Sequence, residues 1–166
     1  MRYELLLQSP IARAAYDPAP VDRALAARGS VEAGGARVWR LKSAEVEVRG
    51  LVEGGALIAT ELRLPLSAKI DGARELVIEA CALAAEAGVK VFDPQLAKEL
   101  TPADEGLVAD QFLRTSRWAG EYLGVSEAVE ASFAPEPTGL KPGTKVLLGV
   151  IAFVVLLVLV ADRLLS

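Results

Sequence analysis

The chain has 166 residues, a net charge of −4, one cysteine and no histidine. The missing histidine excludes Cys/His zinc sites, His-ligated haem and the Ser-His-Asp and Cys-His catalytic groupings, so acid–base chemistry would fall to Asp, Glu, Lys or Tyr. An acidic balance without a run of Lys or Arg excludes the usual nucleic-acid binders, and a lone Cys81 excludes an intrachain disulfide, as a reducing compartment would favour. No cofactor and no metal are expected.

Residues 3–8 form a short apolar run, read as a first strand. Asp17 and Pro18 then open a helix, Asp17 as a cap and Pro18 at the first helical position, and Gly29 closes it. Residues 36–64 give two strands, or three if Ser43 marks a break. Val46 and Val48 alternate with Glu45 and Glu47, the pattern of a half-buried strand. Gly54-Gly55 is a turn signal, as is Gly34-Gly35, and neither has the spacing of a phosphate loop.

A second helix covers residues 72–87. Leu76, Ala80, Leu83 and Ala84 make its inward stripe, and Arg74, Glu75, Glu79 and Glu86 face water. Residues 89–92 return as a strand, with Asp93-Pro94 behind it. Thr101 and Asp104 read as a capping box for a third helix over residues 102–123, and residues 126–133 as one more short helix.

The order β-α-β-β-α-β followed by an extra helix predicts an α+β fold: a ferredoxin-like sandwich with a mainly antiparallel sheet. That order and the strand exit Val91-Phe92-Asp93-Pro94-Gln95 resemble uncharacterised small bacterial ferredoxin-like α/β domains. The resemblance implies no activity.

Residues 134–144 carry three prolines and two glycines without an apolar period and read as a linker. Residues 146–161 then pass without a charge. They hold six Val, five Leu, one Ile and one Phe, and insertion of that set gains on the order of 4–8 kcal/mol. The anchor side chains are Val146, Leu147, Leu148, Val150, Ile151, Phe153, Val154, Val155, Leu156, Leu157, Val158, Leu159 and Val160. With the flanking Lys145 and Arg163, which can reach outward to the headgroups, residues 145–165 are long enough for one transmembrane helix. A core helix would keep a polar stripe, and this segment has none. The span carries no central ionisable group for a proton relay and no small-xxx-small pair for dimerisation.

The expected organisation is a domain over residues 1–133, a linker over 134–144 and a C-terminal membrane helix over 145–165. Residues 1–10 lack the apolar core and cleavage site of a signal peptide, and Lys141 and Lys145 lie on the domain side of the span. Both point to a tail-anchored, single-pass protein of the cytoplasmic membrane with its N-terminal domain in the cytoplasm.

Within the domain, Asp93 is the first candidate for carboxylate chemistry, although Asp before Pro is also the grammar of a helix cap for a short helix through Leu100. Glu45 and Glu47 share a strand face, as a solvated strand would place them. Cys81 sits among Ala and Leu in mid-helix, where a thiol is a small packed side chain. Arg114 and Arg117 beside Trp118 form a stripe that, with Lys141 and Lys145, can meet lipid headgroups. The expected function is a protein-interaction or regulatory module with an unknown protein partner at the bilayer. The alternatives are an accessory subunit of a larger membrane complex and a carboxylate-dependent enzyme near the membrane.

Overall fold

A computed structural model describes residues 1–11, 14–33 and 36–122. The fold grows from β1 (Arg2–Gln8), whose sequence alternates two kinds of side chain. Tyr3, Leu5 and Leu7 are fully buried on one face, while Arg2, Glu4, Leu6 and Gln8 point to the other. The strand sits in the interior of the sheet, antiparallel to β5 (Ala56–Pro65) on one side and to β6 (Lys90–Asp93) on the other. Beyond β5 come β4 (Glu45–Glu53), β3 (Ala36–Arg40) and β2 (Val31–Ala33), and beyond β6 comes the two-residue β7 (Lys98–Glu99). Among the described residues the sheet order is β2-β3-β4-β5-β1-β6-β7, and every pairing is antiparallel.

Three helices lie among the described residues: α1 (Ala19–Ala27), α2 (Ile70–Ala87) and α3 (Glu105–Tyr122). Their apolar faces join the inward face of the sheet in one core. Val21 and Leu25 of α1, Leu76 and Leu83 of α2, and Val108 and Phe112 of α3 pack with Leu5, Val46, Leu62 and Leu64. Each fully buried Leu or Phe contributes about 1.5–3 kcal/mol relative to exposure. The chain is therefore an α+β fold with an antiparallel sheet.

Local signals account for most boundaries. Asp17 Oδ1 accepts the Ala19 N–H at 3.0 Å, and Pro18 occupies the cap position of α1. Both glycines of the β4–β5 turn have positive φ, 58° at Gly54 and 84° at Gly55, as a two-residue hairpin with right-handed strands demands. Ahead of α3, a single 3-10 turn (Pro102–Asp104) carries the Thr101–Asp104 capping box. There Lys98, together with the N–H and hydroxyl of Thr101, holds the Asp104 carboxyl down at about 2.

The structure departs from the sequence reading at four places. Strand β2 is an unexpected strand ahead of residues 36–64, which themselves give the three strands expected if Ser43 marks a break, with Leu41–Ala44 as that break. Residues 94–97 form a turn into β7 where a short helix is predicted. Strand β7 is too short for periodicity to reveal it. The second helix starts two residues early, at Ile70. Glu75, predicted to face water, turns into the β3–β4 connection and accepts the N–H groups of Lys42 at 2.9 Å and Ser43 at 2.8 Å. Burial pushes its carboxyl up, but those N–H groups, the Ser43 hydroxyl and the Lys42 charge outweigh it and hold the group below the ordinary value.

That connection presses against α2 at Gly72. A methyl group there would come within 2.8 Å of the Ala44 Cβ, and neither neighbour has a flexible end to move aside. Gly72→Ala is expected to lower stability by about 1–3 kcal/mol despite the better helix propensity of Ala, as an overpacked site does. Urea unfolding of the variant checks this. An unchanged or raised midpoint would contradict the packing argument.

Candidate functional site

Asp93 ends β6 on the inward face of the sheet and is fully buried. Its surroundings use both carboxylate oxygens. Oδ1 accepts the N–H of Gln95 at 2.8 Å and of Leu96 at 3.0 Å, which closes the turn into β7. Oδ2 accepts the Tyr3 hydroxyl at 2.5 Å. The Tyr3 ring in turn meets Phe112 of α3 edge-on, with centroids 5.8 Å apart and planes at 68°. Burial, then the hydrogen bond to Asp93, then its negative charge push the Tyr3 phenol far above its ordinary value. A carboxylate enclosed in this way joins three elements and presents no atom to a solvent-borne substrate.

Glu45 and Glu47 share the outward face of the sheet, as alternation predicts. Among the described residues no helix covers this face, and it is laced with opposite charges. Glu45 pairs with Arg40 at 3.0 Å, and Glu47 pairs with Arg2 and Arg49. Next to them Arg63 pairs with Glu4 at 2.8 Å. The register sets Glu47 opposite Arg63 and Arg49 opposite Glu61, so signs alternate across the strands. Glu45 and Glu47 are thus neutralised by arginines. Among the described residues no three of Cys, Asp and Glu gather where they could hold a metal ion.

Cys81 is half-buried on α2, with its thiol donating to the Leu100 carbonyl at 3.7 Å. Burial, and to a smaller degree the Asp104 charge, push the thiol up, which keeps it protonated and unreactive.

A concavity of about 580 Å³ opens at the β1 exit, where Gln8, Ile11, Tyr16, Leu57, Ile58 and Lys90 line it. Residue patterns gave no signal for it, because its walls come from segments distant in sequence. Its cation, Lys90, is 3.4 Å from Glu99, and its phenol, Tyr16, is hydrogen-bonded to Thr60 at 2.7 Å. Lys90 and Tyr16 are therefore turned to structural partners.

Arg114, Arg117 and Trp118 lie on the exposed side of α3. Trp118 stacks on Tyr122 one turn later, with centroids 5.5 Å apart. The anchor residues 146–161, together with Lys141, Lys145, the linker and the short helix expected at residues 126–133, fall outside the described residues. Among the described residues no helix is long and apolar enough to cross a membrane. The chain matches no protein-family model, no curated protein and no solved structure at a significant level.

Proposed function

We propose that this chain is a membrane-anchored interaction module: a cytoplasmic α+β domain, held at the bilayer by the apolar run of residues 146–161, that binds a protein partner and performs no chemistry of its own. The enclosure of Asp93 carries the preference for binding over catalysis. The carboxylate that the sequence nominates for chemistry is buried, with one oxygen taken by Tyr3 in the core and the other by the N–H groups of Gln95 and Leu96 in the turn. What remains outward is surface: a sheet face of paired charges and an exposed helix stripe. Confinement to a membrane raises the effective concentration of partners there, so a modest interface suffices.

We read the order β4-β5-β1-β6, with α1 after β1 and α2 after β5, as the ferredoxin-like arrangement. The β2–β3 hairpin is inserted ahead of β4, and β7 and α3 are added at the end. The all-antiparallel pairing and the gathering of the helices over one sheet face support this reading.

Membrane fractionation of the full chain tests the anchoring. The natural chain is expected in the membrane fraction after a high-salt and alkaline wash. A variant with Val155→Arg and Leu156→Arg is expected in the soluble fraction, because two central arginines oppose insertion. Recovery of the natural chain in the soluble fraction would refute the reading. Crosslinking in native membranes then tests the module. A defined partner should persist when an unrelated apolar helix replaces the run. Loss on replacement would favour an accessory subunit whose span packs inside a complex.

A further inference from the structure

Among the described residues, helix α3 has one stripe without a partner. Leu107 (46 % exposed), Trp118 (60 %) and Tyr122 (74 %) lie on its outward side with Arg114 between them. Helical spacing sets these four on one face about 22 Å long, with Arg117 beside it. Burying a Trp and a Tyr would gain much apolar contact, yet neither touches the core, and they stack on each other. Among the described residues neither Arg114 nor Arg117 forms an ion pair.

We infer that this stripe docks α3 flat on the headgroup layer of the bilayer that holds the anchor, with Trp118 and Tyr122 at the level of the acyl-chain boundary and Arg114 and Arg117 on lipid phosphates. The inference rests on the anchoring reading above. Two features select this occupant. The first is chemistry: aromatic side chains with one polar end collect at the membrane–water boundary, and the guanidinium fork matches phosphate. The second is chain length. Only residues 123–145 separate Tyr122 from the apolar run, a reach on the order of 80 Å at full extension. The stripe therefore meets a high effective concentration of one lipid surface, and a contact too weak to recruit a free protein is occupied on a tethered one. Helical spacing places Asp110 and Glu121 between Arg114 and Arg117, so the stripe has little net charge and the contact is short-ranged, made by phosphate hydrogen bonds and ring burial, with little long-range attraction.

The chain's two tryptophans give the test. Trp39 is 2 % exposed and beyond the reach of lipid, so the difference between the natural chain and Trp118→Phe isolates Trp118. The full chain is reconstituted in phosphatidylcholine–phosphatidylglycerol vesicles with bromine near the top of the acyl chains. Floated vesicles should carry the chain with Trp118 emission blue-shifted and quenched about twofold or more, as expected of an interfacial ring. Arg114→Glu with Arg117→Glu should restore most of that emission. A chain that floats with Trp118 unquenched overturns the inference. So does a blue shift without quenching, which would put a second copy or another protein over the stripe, or quenching that ignores the charge reversal. Failure to float at all overturns the anchoring reading first, and the docking with it.

Discussion

Asp93→Ala is expected to destabilise the domain by about 2–5 kcal/mol, a large part of the 5–15 kcal/mol that holds a domain of this size together. The expectation follows from what the substitution leaves behind. Asp93 is fully buried, and its removal strands the Tyr3 hydroxyl in the core and takes the acceptor from the part-buried N–H groups of Gln95 and Leu96. A buried donor without an acceptor costs about 1–3 kcal/mol, and here the Tyr3 hydroxyl bears that cost in full while the two part-buried N–H groups add less each. Tyr3→Phe removes one donor and leaves the turn intact, so it is expected to cost less, about 1–2 kcal/mol. Urea unfolding of both single variants and the double variant gives the coupling, expected at about 1–3 kcal/mol. A loss below about 1 kcal/mol for Asp93→Ala would show that the site is not needed by the fold, and would reopen a chemical role for it.

The same pair sets a response to alkaline pH. The Tyr3 phenol is raised in the folded state by burial, by its bond to Asp93 and by that carboxylate's charge. A raised folded value means that the contribution is complete below the unfolded value of about 10 and falls as pH climbs above it. Tyr16 is raised too, by burial first, although its hydroxyl contact with Thr60 works the other way. The natural domain should lose stability progressively as pH rises above about 10, and Tyr3→Phe should flatten that decline while leaving the part due to Tyr16.

The path from sequence to this site shows where local patterns carry information. Alternation in residues 45–49 revealed a strand with Glu45 and Glu47 together, because a period of two depends only on neighbours. Positions of Gly and Pro marked the ends of α1 and α2 and the β4–β5 turn for the same reason. Asp93 was legible as a group that caps local backbone. It is a cap, of a turn in place of a helix. Its bond to Tyr3 was not legible, because that bond joins residues ninety positions apart and depends on β6 pairing beside β1. The loop partners of Glu75 were not legible for a related reason, although its hydrogen bonds lie on the exposed side as predicted. Helical periodicity assigns a face, but it cannot say that a loop will come down over that face, and the loop over Gly72 does so. Nothing in a pattern of apolar spacing distinguishes an exposed Trp118 from a buried Trp39 either. That difference comes from which side of α3 meets α2 and which side of β3 meets the core.

Phe112→Ala is expected to cost about 3–5 kcal/mol and to loosen α3 selectively. Helix α3 has a sparse inner face. Besides Phe112 and Val108, its buried residues are Ala109, Ser116, Ala119 and Gly120, which bring little apolar area. Phe112 is fully enclosed and holds the edge-on contact with Tyr3, a geometry worth about 0.5–1.5 kcal/mol beyond the area buried. Leu107→Ala, on the half-exposed side of the same helix, is expected to change stability by less than about 1 kcal/mol. Guanidinium unfolding compares the two, and amide exchange locates the effect. In Phe112→Ala the amides of α3 should exchange faster than those of β1 and β5, because the helix can leave while the sheet remains. Uniform acceleration over the whole domain would mean that α3 is part of the central folding unit and not a docked addition. Because Asp93 and Phe112 both act through Tyr3, their combined loss should fall short of the sum, since the second change removes support from a side chain already released. If the losses add, the two contacts hold α3 and the β6–β7 turn independently, and the stripe of Arg114, Trp118 and Tyr122 is positioned by helix packing without help from the buried carboxylate.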